Sequence, residues 1–366
     1  MKIGILTYHR AENYGALLQA YAMMTYLRSL GHEVSFVDYW PKYHSEYFKV
    51  FSLKAFIRSS VKSKLVKLNR LLLMGRTLYQ RKRTMQEFMF NQLGLPKRPQ
   101  YEDRNLVTEE GYDVVVYGSD QIWRKQNMGG VGFDDWYFGS DNVRADKKIV
   151  YAGSMGKIDT DAQDDIYIKK QMSNFDKIAV REGDLLDYLK KLDVSSVQVA
   201  DPVFLLSRQD WDKLVIPQRQ KGKYILFYNL LNTKESILFV RQLSRKYGLP
   251  IYEITKKTSV FSSKSHLINQ ASIGEFLGLL KDAEYVVSNS FHGVAFSIIY
   301  EKRFYAVGMG TKANRVVSLL DSVGMAERYI YPHQNNMSEI EIDYNKTSPK
   351  LKSIVEKSKD YLSSAL

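Results

Sequence analysis

The chain has 366 residues, 45% hydrophobic and 25% charged, a composition that fits a folded soluble protein and excludes disorder as its main state. It contains no cysteine, which excludes disulfides, thiolate nucleophiles, iron–sulfur clusters and sulfur-ligated zinc. Its 53 Lys and Arg outweigh 40 Asp and Glu for a net charge of +13, a bias toward an anionic partner: nucleic acid, a membrane surface or a phosphorylated small molecule.

In chain order, Ile3–Leu6 is a short apolar run, and Gly15–Leu30 carries Leu17, Leu18, Tyr21, Met24, Leu27 and Leu30 at helical spacing before Gly31. Val34–Tyr39 reads as the next strand, so the opening β-α-β predicts a parallel sheet with right-handed crossovers. Further strands are predicted at Asp113–Tyr117, Lys148–Ala152, Lys177–Val180 and Val197–Ala200. Each is followed by a polar or glycine-bearing turn (GSDQ, GSMG, REGD, DP), and ligands of open α/β sheets gather at such carboxyl ends. After a break at Asp201–Lys223 with Pro202 and Pro217, the scheme repeats. Its strands are Tyr224–Tyr228, Ile251–Ile254, Tyr285–Val287 and Phe304–Val307; its helices are Lys234–Tyr247, Ile273–Lys281, Val294–Tyr300 and Arg315–Val323. The expected fold is α/β: two Rossmann-like domains facing across a cleft, over 1–205 and 220–340, with a C-terminal helix in 346–366 docking back on the body.

One region departs from this rhythm. Between Tyr47 and Gln86 there are eleven Lys and Arg and no acid, while Leu53, Phe56 or Ile57, Val61, Leu65, Leu68 and Leu71 or Leu72 recur every three or four residues. A helical insertion at about 47–95 would have one apolar and one basic face. Such a helix either packs on its domain with a solvated basic side or brings the 49–83 stretch to an anionic membrane surface. No recognition module accompanies the charge, so nucleic acid is not expected as a partner. No apolar run reaches the ~18–20 residues of a membrane span. The opening MKIGILTYHRAENYG lacks the long apolar core of a signal peptide, so a cytoplasmic location is expected, peripheral on the inner membrane face if the basic segment binds lipid.

The six histidines are scattered without metal-ligand spacing, and no metal is expected. The first strand–helix junction, His9 to Gly15, lacks the three glycines of a dinucleotide fingerprint, and no Walker A sequence is present. Asp38, at a strand end, could meet a ribose. The densest polar group is Ser288-Asn289-Ser290-Phe291-His292-Gly293, between a strand and a helix. There His292 lies near a helix N-terminus whose amides favour an anion, and a bound anion would favour the imidazolium and suit His292 to general acid chemistry. Gly308 to Arg315 again links strand to helix and brings Lys312, Asn314 and Arg315. Arg181 holds the same strand-end place in the first domain, where an ion pair with Glu182 or Asp184 is the competing role.

KIGILTYHRAENYGALLQAYAMMTYLRSLGHEVSFVDYWP, VVVYGSDQIW, VREGDLLDYL, ADPVFLL, VVSNSFHGVAFSIIYEKRF and GTKANRVVSLL resemble, in order and approximate spacing over most of 1–325, the polysaccharide pyruvyl transferase family. The resemblance implies a GT-B-like fold. It implies an enzyme that moves the enolpyruvyl unit of phosphoenolpyruvate onto a sugar diol of a polysaccharide or lipid-linked glycan, forming a pyruvate ketal and releasing phosphate without a cofactor. His292 then matches the proton donor, and Arg181 and Lys312 match donor-binding cations, with Asn314 and Arg315 in the same motif. Ser290 stands where some members carry Arg, which leaves the donor site less cationic. Asn13, Tyr14, Gln121 and Trp123 are acceptor-binding candidates, and Asp120 is the candidate base. Helix capping by Asn13 and core packing by Trp123 are the competing roles. The rival functions are a GT-B glycosyltransferase using a nucleotide sugar and a non-catalytic sugar- or anion-binding protein.

Overall fold

The computed structural model describes residues 1–47, 57, 61–126, 132–217, 222–255, 265–310, 313–331 and 341–366, without the side chains of 47, 61–74 and 265. Two six-stranded sheets organise the chain, and every ladder in them is parallel. The first is built from β1 (Lys2–Leu6), β2 (Glu33–Phe36), β3 (Tyr112–Tyr117), β4 (Ala145–Gly153), β5 (Lys177–Val180) and β6 (Val197–Gln198), in the order β2-β1-β3-β4-β5-β6. The second is built from β7 (Ile225–Asn229), β8 (Ile251–Thr255), β9 (Ser265–Leu267), β10 (Tyr285–Ser288), β11 (Arg303–Val307) and β12 (Tyr329–Ile330), in the order β12-β11-β10-β7-β8-β9. Val114–Tyr117 and Ile149–Gly153 are continuously buried because helices cover both faces, which is why these strands show no polar alternation.

The helices are α1 (Tyr14–Ser29), α2 (Lys42–Tyr47), α3 (Val61–Asn91), α4 (Ala162–Met172), α5 (Gly183–Lys191), α6 (Arg208–Asp212), α7 (Lys234–Tyr247), α8 (Ile273–Asp282), α9 (Phe291–Ile299), α10 (Ala313–Val323) and α11 (Tyr344–Ala365). This is the α/β, two-lobed architecture that the alternating pattern predicts. Two differences matter. The edge strands β9 and β12 have three and two residues, too few to leave a pattern in the sequence. Helix α9 starts at Phe291, a turn ahead of the expected Val294. Gly293 makes that early start possible, since a Cβ there would lie 2.2 Å from Ser288 Oγ.

Strand order places the functional edge. In the first sheet the chain steps from β1 outward to β2 and then to β3 on the other side of β1; in the second it steps from β7 out to β8 and β9 and back to β10. These two reversals are where a crevice opens beyond the strand ends in doubly wound sheets. The loops there are Thr7–Asn13 and Gly118–Gln121 in the first lobe, and Leu230–Thr233 and Asn289–Ser290 in the second.

The two lobes are packed together along a seam. One apolar cluster runs through both, from Leu17 and Leu18 through Phe204 and Trp211 to Phe276, Val294 and Phe296. Tyr14 crosses the seam: its ring stacks on Phe276 at 4.3 Å and its hydroxyl donates to Ala271 O at 2.6 Å. Helix α11 bridges the lobes as well, with Tyr344 donating to Lys302 O at 2.7 Å near its start and Tyr361 donating to Val150 O at 2.8 Å near its end. Replacing Tyr14 with Ala removes a fully buried ring and its hydrogen bond and is expected to cost about 3–5 kcal/mol. Tyr14→Phe is expected to cost only about 1 kcal/mol. Denaturant midpoints of the two variants check the ranking.

Candidate active site at the lobe seam

The imidazole of His292 sits at the second position of α9, only 8% exposed, and reaches across the seam onto α1. There it meets Gly15, and a Cβ on that glycine would lie 2.1 Å from His292 Nδ1, so only glycine admits the ring. Asn13, the N-cap of α1, accepts from the Gly15 amide at 3.1 Å, which keeps the backbone turning beneath the ring. On the opposite edge, His292 Nε2 lies 3.7 Å from Asp201 Oδ2 and has no hydrogen-bond partner among the described residues. Burial pushes the imidazole toward its neutral form; Asp201 opposes that pull, whereas Arg181 reinforces it.

Asp201 is the centre of a buried ionic network that the first lobe assembles from four strand ends. Arg181 Nη1 donates to Asp201 Oδ2 at 2.7 Å, Arg181 Nε donates to Glu182 Oε1 at 2.9 Å, and Arg181 Nη2 reaches Ser154 Oγ at 3.2 Å. Ser119 Oγ donates to Asp201 Oδ2 at 3.2 Å, and Ser154 Oγ donates to Glu182 Oε1 at 2.9 Å. Across the seam, the Arg181 guanidinium lies 4.7 Å from the centre of the Phe291 ring, next to His292. Burial works against ionisation of Asp201, but His292 and Arg181 outweigh it and hold the carboxyl below its usual range. Arg181 therefore holds the network together, with a protein partner for each of its three nitrogens, and it also lines the neighbouring cavity.

Arg315, on α10, approaches from the second lobe. With the Gln121 carboxamide oxygen turned toward it, that oxygen accepts from both Arg315 Nη atoms at 3.1 Å. Its neighbours among the ionic groups are Arg181, Glu182, Asp120 and Asp201; burial and Arg181 both weaken its charged form. Asp120 faces His292, Arg181 and Arg315 electrostatically. It sits at φ +68°, a left-handed conformation uncommon for a residue with a side chain, and its Oδ1 accepts from the Gln121 amide at 2.8 Å. A cavity of about 210 Å³ opens beside Arg181, Asp201, Phe291 and Arg315, below the ~300–1,000 Å³ of drug-sized pockets and on the scale of a small metabolite.

The other candidates divide. Ser290 is the N-cap of α9 and lies at the seam beside Tyr228, its hydroxyl making no capping bond. Asn314 is exposed and gives its amide to Asp184 Oδ2 at 3.1 Å, a bond across the seam in place of the expected donor contact. Lys312 lies outside the described residues. Trp123 is fully buried and donates to Tyr137 O at 2.9 Å, and Tyr14 belongs to the interlobe packing; neither presents a face to an acceptor, which corrects those two expectations. Gln121 positions Arg315. Asp38 is occupied by Arg10, at 2.5 and 2.6 Å, and by His9, at 3.1 Å. Sequence reasoning missed Asp201, Ser119 and Ser154 as members of the site, although each occupies a strand-end turn that it had marked. Among the described residues, no group of three or more His, Asp or Glu could hold a metal ion.

Gly→Ala in an ordinary helix interior stabilises by up to about 1 kcal/mol. Gly15→Ala should do the reverse, lowering the thermal midpoint and raising the radius of gyration in X-ray scattering, because the added methyl and the imidazole cannot both stay in place.

Among solved structures, UDP-GlcNAc 2-epimerase from Methanocaldococcus jannaschii, in complex with UDP-GlcNAc and UDP, is similar at 12% identity and TM-score 0.47, with 97% of this chain and 93% of that chain covered. UDP-GlcNAc 2-epimerase from Neisseria meningitidis, bound to UDP-GlcNAc, is similar at 10% identity and TM-score 0.46, covering 97% of this chain and 100% of that chain. The glycosyltransferase SnogD from Streptomyces nogalater is similar at 12% identity and TM-score 0.39, covering 100% and 99%. No curated protein matches. The family model described as polysaccharide pyruvyl transferase matches residues 13–310, a span that holds Gly15, Asp120, Arg181, Asp201 and His292. On that match, over well more than half its length, the chain belongs to the polysaccharide pyruvyl transferase family.

Proposed function

We propose that the protein transfers the pyruvyl unit of phosphoenolpyruvate to a pair of sugar hydroxyls, closing a cyclic ketal and releasing inorganic phosphate. The observation that carries this reading is that His292 and Arg315 of the second lobe face Asp120, Arg181 and Asp201 of the first, in a chain of this family. The imidazolium of His292 gives its proton to the donor's methylene carbon, and the alkene π pair becomes the new C–H bond. The adjacent carbon turns into an oxocarbenium-like centre, which one sugar hydroxyl attacks as Asp120 takes its proton. The C–O bond to phosphate then breaks with its electron pair, and the second hydroxyl closes the ring. Of the two hydroxyl protons, one replaces the proton that His292 lost and the other departs with phosphate. Arg315, the amides opening α9 and Lys312 are the groups that would hold the donor's charges. The reaction asks no redox cofactor of the protein.

The test is release of phosphate from phosphoenolpyruvate in the presence of a sugar diol, together with a glycan mass gain of one pyruvate less one water. His292→Ala is expected to lower kcat at least about 100-fold, the scale of a general acid. Arg315→Ala is expected to raise the KM for phosphoenolpyruvate. Phosphate release that is absent, or turnover that requires a nucleotide sugar, overturns the reading.

The reading extends to a lipid-diphosphate-linked acceptor reached from a membrane surface. Among the described residues, no helix is long and apolar enough to cross a membrane. Part of the end of α3 is committed to the protein itself: Arg81 lies 5.6 Å from the Tyr14 ring and Lys82 pairs with Glu12 at 3.1 Å, whereas Arg83 is exposed and pairs with Glu87 of its own helix at 2.8 Å. Lipid-facing charge is sought mainly earlier in the segment; Lys49, Lys54 and Arg58 lie outside the described residues, and Lys62, Lys64, Lys67 and Arg70 begin α3. Salt-sensitive sedimentation with phosphatidylglycerol vesicles, lost on changing Lys62, Lys64, Lys67 and Arg70 to Glu, is expected. Binding that those changes leave intact removes the membrane role.

A further inference from the structure

We infer that Asp201 is a positioning residue for His292: from across the seam it selects the imidazole tautomer that carries its proton on Nε2 and favours the charged ring. This rests on the pyruvyl-transfer reading for its kinetic consequence and on geometry for its origin.

Four observations lead to it. Asp201 is fully buried in the first lobe, and its Oδ2 has three neighbours: Arg181 Nη1 at 2.7 Å, Ser119 Oγ at 3.2 Å and His292 Nε2 at 3.7 Å. His292 Nε2 is buried and has no hydrogen-bond partner among the described residues. A bare nitrogen lone pair facing a carboxylate oxygen across 3.7 Å is repulsive, so the tautomer that suits this site carries its proton on Nε2. Lastly, Gly15 fixes the far edge of the ring, so the imidazole is held between backbone and carboxylate.

The separation itself is informative. At 3.7 Å the pair is too far apart for a hydrogen bond, so Asp201 attracts the proton by charge without locking it, and the proton stays available to a donor. The charged groups around His292 are Asp201, Arg181 and Asp120 from the first lobe and Arg315 from α10, while α1 contributes the uncharged Gly15. Burial and the two guanidiniums favour the neutral ring; Asp201 is the foremost group opposing them. Their pull prevails even with the carboxylate present, and without it the imidazole would be pushed further toward its neutral form. The two groups belong to different lobes, so the tautomer that Asp201 selects is set only while the lobes are packed together.

Three measurements on the full chain test this. First, ¹⁵N spectra of histidine-labelled wild-type protein, with His292 assigned by His292→Gln, should show a protonated Nε2 at neutral pH. A bare Nε2 overturns the inference, and this measurement needs neither turnover nor a variant at 201. Second, Asp201→Asn should lower the His292 pKa by about 1–3 units, the scale of losing one opposite charge at this distance. Third, in phosphate release from phosphoenolpyruvate, Asp201→Asn should move the basic limb of the kcat–pH profile to lower pH by the same amount, and Asp201→Glu should restore part of it. A variant that loses stability or raises KM while the limb and the pKa stay in place makes Asp201 a structural residue only and overturns the proposal. If wild-type protein releases no phosphate, the pyruvyl-transfer reading fails, and the spectra still decide the tautomer and the pKa.

Discussion

The constraint on which this structure turns is a buried ionic group that the first lobe assembles and the second lobe covers. Arg181 is held by Asp201 and Glu182 with almost no access to water, and the imidazole of His292 closes the other side of Asp201. Charges taken out of water are tolerated only where partners surround them, and removing one partner from such a group is strongly destabilising. Covering that group from the second lobe falls to the packing along the seam. Tyr14 on Phe276, Phe291 beneath Arg181, and Gly15 under the His292 ring are contacts of that seam.

The charge count at the seam shapes what can bind there. Two guanidiniums, Arg181 and Arg315, stand among three carboxylates, Asp120, Glu182 and Asp201. With a neutral imidazole this arrangement does not attract an anion, and with an imidazolium it approaches neutrality. Anion binding and protonation of His292 are thus linked: each favours the other. A donor carrying two acidic groups brings its own means of charging the acid. The net +13 of the whole chain says nothing of this local balance, because much of that excess lies in the basic segment around α3.

The end of α3 shows how a feature read as surface chemistry becomes structural in three dimensions. Arg81 and Lys82 look like any other members of a basic run, yet they meet Tyr14 and Glu12 at the start of α1, and Arg81 also donates to Thr255 O at 3.4 Å in the second lobe. The helix that breaks the α/β rhythm thereby braces the same seam that carries the candidate site.

Most of the fold was legible in the sequence, because apolar periodicity and turn chemistry are local properties. The alternation of strand and helix, the change of lobe after Asp201, and the strand-end turns that hold Asp120, Arg181 and His292 all follow from residues near one another in the chain. Partnership was not legible. Asp201 and His292 are 91 residues apart in a chain whose two halves show no pattern linking them, and their contact exists only because the two lobes pack against each other along the seam. For the same reason Trp123 and Tyr14, aromatic residues at strand ends and plausible as ligand platforms in one dimension, are core and seam in three. Composition, pattern and family motifs thus determined which elements form and which side chains are chemically able. Only tertiary packing decided which of those side chains share one desolvated space, and burial and distance set the strength of every charge there.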